Sequence, residues 1–252
     1  MRSCLSNNDL EDKHKKTSSG KVAIMQPYVF PYIGYFHLIE ASNVFVFYDD
    51  VNFIKQGWIN RNRILVQKKS YTFTIPISDS SSNTLIKDTQ ICIDARWRRK
   101  FFETITQAYN KSPYYNHVIE LLHRVLDDEV DSISDLAINS ILHVYDYLGM
   151  SRQFRKASVI SPLTQGLGKE QRIAAITNDL GYSAYVNATN GKALYSKQSF
   201  KELGIELSFI NSRDVVYRQF NHEFVPWLSI IDILMFNGID VIREILTQYE
   251  LE

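Results

Sequence analysis

Only two cysteines occur in the 252 residues, Cys4 and Cys92, and no C-x-x-C spacing exists. The sequence therefore offers neither a disulfide framework nor a structural zinc site, and Cys92 reads as a small buried strand residue. No apolar run approaches the ~20 residues a membrane span needs, and the N-terminus has no signal-peptide h-region. The expectation is a cytoplasmic protein without a membrane span. An excess of charge is missing too: 28 basic residues balance 28 acidic ones. That argues against a general grip on nucleic acid, while leaving room for a pocket holding one or two phosphates. The six histidines are scattered. His117, His123 and His143 fall on different predicted helices and His222 in a loop, so neither a metal set nor a triad is legible, and no metal ligand is assigned.

What is present is an α/β pattern. Residues 1–20 are polar and read as a disordered leader, and the serine-rich stretch Ser78–Ser82 reads as a loop tip. From Lys21 onward strands alternate with helices. Val22–Met25, Asn43–Tyr48, Gln153–Val159, Ala184–Val186 and Glu206–Ile210 read as strands, Ser70–Ile77 as an edge strand and Thr89–Asp94 as a shorter one. Helices are expected over 94–109, 113–125, 130–148 and 169–180, and over 227–249 with a break at Gly238. The sum is one domain over 21–252: a mainly parallel, Rossmann-like sheet with helices on both faces, split by a helical insertion around 94–150.

The densest chemistry lies between Gln26 and Arg63. The first strand breaks into a turn carrying Gln26, Pro27, Pro31, Gly34 and Tyr35, which feeds a helix; ligands of open α/β sheets bind at such strand ends. Gly34 would let the backbone approach a ligand closely, and His37 in that helix is a catalytic candidate. The turn is similar to the signature of the HIGH-type nucleotide-binding superfamily at Tyr32-Ile33-Gly34-Tyr35, with both signature histidines missing. Asp49 and Asp50 follow the second strand directly and could serve as general base or hold Mg²⁺. Behind them come Lys55, Trp58, Asn60, Arg61, Asn62 and Arg63. If that stretch is extended, Arg61 and Arg63 share a face and can fork onto phosphates, while Trp58 offers a flat surface for a ring. Two later segments complete the candidate binding residues. One is Gly166–Ile176, a glycine-bearing helix start with Lys169 and Arg172; the other is Tyr185–Phe200, with Asn187, a turn at Asn190-Gly191, and Tyr195. Each also has a plain structural reading as a loop, a cap or a solvated charged face.

Three stretches taken in order, Gln26–Ile64, Tyr185–Ile210 and Phe224–Gly238, resemble the WbqC-like protein family, and the likeness covers residues 21–252. The resemblance implies a role in building bacterial surface polysaccharide (O-antigen or capsule). This chain has Asn52 where members often carry Gln, and Asn190-Gly191 where many carry Gly-Gly; neither change removes a charge. The expected activity is acyl or aminoacyl transfer to the amine of a nucleotide-linked amino sugar. Asp49 or Asp50 would be the base, Lys55, Arg61 and Arg63 the diphosphate holders, and Trp58 or Tyr35 the stacking ring. Two alternatives stay open: an ATP-dependent nucleotidyltransferase or ligase of the HIGH superfamily, and a non-catalytic sugar-binding partner. The cofactor stays open between ATP with Mg²⁺ and an acyl donor, and so does the oligomeric state.

Overall fold

Parallel β-sheets bury both faces, so their strands need apolar side chains on both. Two short apolar runs of this chain meet that demand and lie side by side within the sheet, in β1 (Ser18–Met25) and β2 (Val44–Phe47). The computed structural model describes residues 18–78, 83–221 and 223–252. Most of the expected leader, the tip Asp79–Ser82 and His222 lie outside the described residues. Ser18–Gly20, expected in that leader, already belong to β1.

The sheet has six strands, completed by β5 (Gln153–Lys156), β6 (Tyr182–Ala188), β7 (Glu206–Ser212) and β8 (Tyr249–Leu251), in the order β5-β2-β1-β6-β7-β8. All neighbours are parallel except the β7–β8 pair. Chain order thus runs outward from β1 in both directions, as in a Rossmann-like sheet. The reversal point lies between β1 and β6, where a crevice opens at the strands' carboxyl ends.

Period-two alternation divides the core between the faces. Ala23, Phe45, Phe47 and Val186 point to one side, which is covered by α1 (Ile33–Glu40), α4 (Ile133–Tyr147) and α9 (Ile239–Ile245). Val22, Ile24, Val44 and Val46 point to the other, covered by α5 (Ala157–Ile160), α6 (Lys169–Asp179) and α7 (Lys197–Glu202). The insertion comprises an antiparallel hairpin of β3 (Arg61–Val66) and β4 (Lys69–Thr74), then α2 (Ala95–Tyr109), α3 (Tyr115–Asp127) and α4. Asp94 caps α2 through the Trp97 N–H at 2.6 Å, and Ser132 caps α4 through the Asp135 N–H at 3.1 Å.

Three expectations about elements fail. Thr89–Asp94 makes only isolated bridges, Ile77 to Ile91 and Gln90 to Ser132, so Cys92 ends up exposed at the rim. The strand expected over Gln153–Val159 stops at Lys156, because the Asp49 carboxylate caps a helical turn from Ala157. The C-terminal helical region is two short helices, α8 (Ile230–Phe236) and α9, followed by β8.

Buried tyrosines give the fold an alkaline limit. Burial raises Tyr35, Tyr109 and Tyr185 well above the ordinary value of 10.0, and nearby Asp232 pushes Tyr109 further. From about pH 10 the unfolded chain loses phenolic protons that the folded chain keeps, so stability is intact below that pH and lost above it. Each such tyrosine removes up to about 1.4 kcal/mol per pH unit. The thermal midpoint should fall steeply above about pH 10; a level midpoint to about pH 11 would contradict this reading.

Candidate functional site

A cavity of about 1390 Å³ opens at the reversal point of the sheet. Met25 and Gln26 at the end of β1 and Asn187 and Ala188 at the end of β6 form its base. The turn after β1 and the stretch that follows β2 both line it. Pro31, Gly34 and Tyr35 stand on one wall, and Asp50, Trp58, Asn62 and Arg63 on another. Lys169, Arg172, Gly191 and Tyr195 close it from the α6 and β6 side.

The turn after β1 is held by backbone chemistry rather than by its prolines alone. Phe30 adopts φ +42°, a conformation that costs a non-glycine residue of the order of 1–3 kcal/mol. Its N–H donates to Ser140 Oγ at 2.9 Å, and its carbonyl accepts from Asn62 Nδ2 at 2.8 Å and Ser229 Oγ at 2.7 Å. Asn62 is therefore a strut of the turn as well as a wall residue. Gly34 is required for a different reason from the one expected. A Cβ there would lie 2.5 Å from the Tyr32 ring, so the glycine makes room for a neighbouring side chain while still lining the cavity. Gly191 similarly makes way for the Asn187 side chain, inside a 3-10 turn over Thr189–Ala193 rather than a plain bend. Tyr35 is buried, with its hydroxyl donating to the Gln26 carbonyl at 2.9 Å, and is not free to stack on a ligand.

The two carboxylates after β2 separate into different jobs. Asp49 accepts from the Ser158 N–H at 3.0 Å and Ser158 Oγ at 2.5 Å, capping α5, and stands outside the cavity wall. Asp50 lines the cavity. Its Oδ2 lies 2.6 Å from Arg172 Nη2, and the two side chains are 1% and 5% exposed. That approach suits Coulomb attraction but is off the line a hydrogen bond requires, so Nη2 completes no hydrogen bond and Asp50 Oδ1 has no partner either. The Arg172 guanidinium rests 4.7 Å above the Tyr48 ring, whose phenol is pushed up by burial and partly drawn back by that cation. Thr164 Oγ1 and Gln165, which donates to the Asp50 carbonyl at 3.3 Å, brace the pair from the loop before α6.

Four further candidates leave the site. His37 is fully buried against the C-terminal end of the chain. Its Nε2 pairs with the Ile245 carbonyl at 2.9 Å, and burial holds its pKa below the usual imidazole value. Asn60 spends its amide on the Ile75 carbonyl, and Lys55 is exposed away from the cavity wall. Arg61 donates to the carbonyls of Gly57 and Gln56 and so fixes the turn before β3. That stretch is extended, and both arginines lie over the Trp58 indole, Arg61 at 5.5 Å and Arg63 at 5.1 Å. Only Arg63 also lines the cavity.

Asn52, singled out in the sequence, faces the cavity, and so do three residues that were not: Tyr48, Gln165 and Trp227. Tyr48 had a readable signal, an aromatic ending a parallel strand beside two carboxylates. Trp227 had a weaker one in the dipeptide Pro226-Trp227. Among the described residues no three His, Cys, Asp or Glu gather closely enough to hold a metal ion, and no helix is long and apolar enough to cross a membrane.

Comparison with known proteins agrees with the family resemblance read from the sequence. An uncharacterized protein of Mycobacterium tuberculosis is 26% identical over 227 residues, covering 86% of this chain and 93% of that relative. No solved structure matches. Residues 26–244, the span that holds all of the cavity lining except Ile24 and Met25, match the WbqC-like protein family, and the chain belongs to that family.

Proposed function

We propose that the protein is a transferase that delivers an acyl or aminoacyl group to the amine of a nucleotide-linked amino sugar used in bacterial surface polysaccharide. The observation that carries this reading is Asp50: a buried carboxylate at the carboxyl end of β2, on a cavity wall, with Oδ1 unpartnered. In this reading Oδ1 accepts a hydrogen from the sugar amine. The amine nitrogen attacks the donor's carbonyl carbon, and an N–C bond forms as a proton passes to Asp50. The bond from that carbon to the donor's leaving group then breaks, and the leaving group departs with the proton. Arg63 and Lys169 meet the phosphates. Holding both reactants in one cavity supplies much of the rate, as orientation commonly does.

The test is ligand-dependent thermal stability coupled to mass spectrometry of the sugar. A UDP-linked amino sugar at a hundred times its Kd should stabilise by about 2.7 kcal/mol, or roughly 5–10 °C in midpoint. ATP with Mg²⁺ should give no comparable shift. Incubation with an activated acyl donor should add the acyl mass to the sugar. The opposite pattern, stabilisation by ATP with Mg²⁺ alone, would replace this reading with nucleotidyl transfer.

A further inference from the structure

We infer that the mouth of the cavity is a nucleobase subsite built by Trp58 and Trp227, so that a nucleotide-linked ligand enters glycosyl end first. The inference rests on the reading of the cavity as the site of a nucleotide-linked ligand, and it assigns that ligand a direction.

Both indoles are displayed at a cost. Trp227 is 61% exposed and Trp58 41%, although burial of either ring would stabilise the fold. Trp227 also adopts φ +62°, a left-handed conformation in which a bulky aromatic residue is an outlier. It is braced from both sides. Gln219 Oε1 accepts from the Val225 N–H at 2.7 Å, while the Ser229 N–H donates to the Arg63 carbonyl at 2.8 Å. Tyr32 packs against its ring with centroids 6.2 Å apart. Strain held in place by its surroundings is a mark of ligand clamps, and here it holds an indole at the opening of the cavity.

Trp58 is fixed differently. Two guanidiniums lie over its ring, and Arg61 also binds the carbonyls of the turn that carries it. Chemistry then changes with depth. The exposed rings lie at the mouth, Arg63 is half-buried, and Asn187 and Asp50 are, with Arg172, among the buried polar groups of the lining. A ligand with a flat base, then an anionic diphosphate, then a hydroxyl- and amine-bearing sugar matches that order. Every nucleobase presents a π-face that stacks on an indole, and the neighbouring guanidinium favours the adjoining phosphate.

Intrinsic fluorescence tests the inference directly, because Trp58 and Trp227 are two of only three tryptophans. The third, Trp97, is tied down elsewhere, stacked on Phe101 with its indole N–H donating to the Thr74 carbonyl at 3.0 Å. UDP and UDP-glucosamine should quench emission, whereas glucosamine 1-phosphate, which lacks a base, should bind without quenching. Trp227→Ala should weaken UDP binding about tenfold and leave glucosamine 1-phosphate binding unchanged; Trp227→Phe should restore most of the loss. An unchanged thermal midpoint for Trp227→Ala would confirm that the fold is kept. Equal UDP affinity in Trp227→Ala and the parent overturns the clamp. So does binding of glucosamine 1-phosphate with no binding of UDP, a result that leaves the amino-sugar reading standing. Binding of UDP with quenching but without any gain from the sugar keeps the clamp and removes the amino sugar. Failure of all three ligands removes both.

Discussion

If Asp50 is the general base of the proposed transfer, changing it to Asn should cut turnover of the nucleotide-linked amino sugar by roughly 10²–10⁴-fold, the usual contribution of a positioned general base. The same change should destabilise the fold, because it leaves Arg172 buried and charged without its counter-ion; breaking such a pair costs about 3–5 kcal/mol. The two effects can be separated. Adding Arg172→Met removes the stranded charge, and a buried ion pair replaced by neutral groups of similar volume is often nearly neutral in stability. The double variant should therefore regain most of the denaturation midpoint and none of the turnover. If the double variant recovers activity along with stability, Asp50 is only a structural partner of Arg172. If Asp50→Asn loses under about 1 kcal/mol, the pair is not held as described.

Asp232 carries the second large effect, and its consequence reaches the cavity from outside. It is fully buried on α8, and its carboxylate accepts from three neutral donors: Tyr109 Oη at 2.7 Å, Tyr217 Oη at 2.6 Å and Gln219 Nε2 at 2.6 Å. Tyr109 Oη in turn accepts from the Leu65 N–H at 2.8 Å, so the carboxylate ties α2, α8 and β3 to the chain before Trp227. Asp232→Ala should cost about 3–5 kcal/mol, since it strands buried donors and opens a small void. Asp232→Asn keeps one acceptor oxygen and should cost less. Because Gln219 also grips Val225, amides of residues 215–227 should exchange faster with solvent in Asp232→Ala, even where the rest of the molecule stays protected. Uniform exchange across the molecule would mean the network supports only global stability.

Much of the sheet was legible because its strands are written in the strongest local code, runs such as Val44–Phe47 buried on both faces. Of the hairpin, β4 was legible as the edge strand expected over Ser70–Ile77, but β3 was not. Arg61, Asn62 and Arg63 read as chemistry, and only the fold shows that the alternation around them is a strand with one wet face. Residue positions were legible where they follow from the order along a strand, as for Asp50, which lines the cavity just past the end of β2. They were illegible where a partner is remote. Nothing local distinguishes Asp49 from Asp50, because Ser158, which claims Asp49, lies 109 residues away. His37 was misplaced for a similar reason: the helix that carries it was readable, but the face it turns to Ile245 was not. Trp227 was hidden because a positive φ is set by its neighbours and not by its own residue type.

The walls of the cavity come from residues 24–38, 48–63, 83–85, 165–173, 185–195 and 227, scattered over most of the chain. A fragment that lacks any one of these stretches therefore loses part of the cavity, and under the proposed function a nick that lets one wall drift should lower affinity before it unfolds the sheet. A ligand bound as proposed would in turn act as a glue between distant parts of the sequence. Protection from limited proteolysis should appear at loops far from the bound molecule as well as beside it.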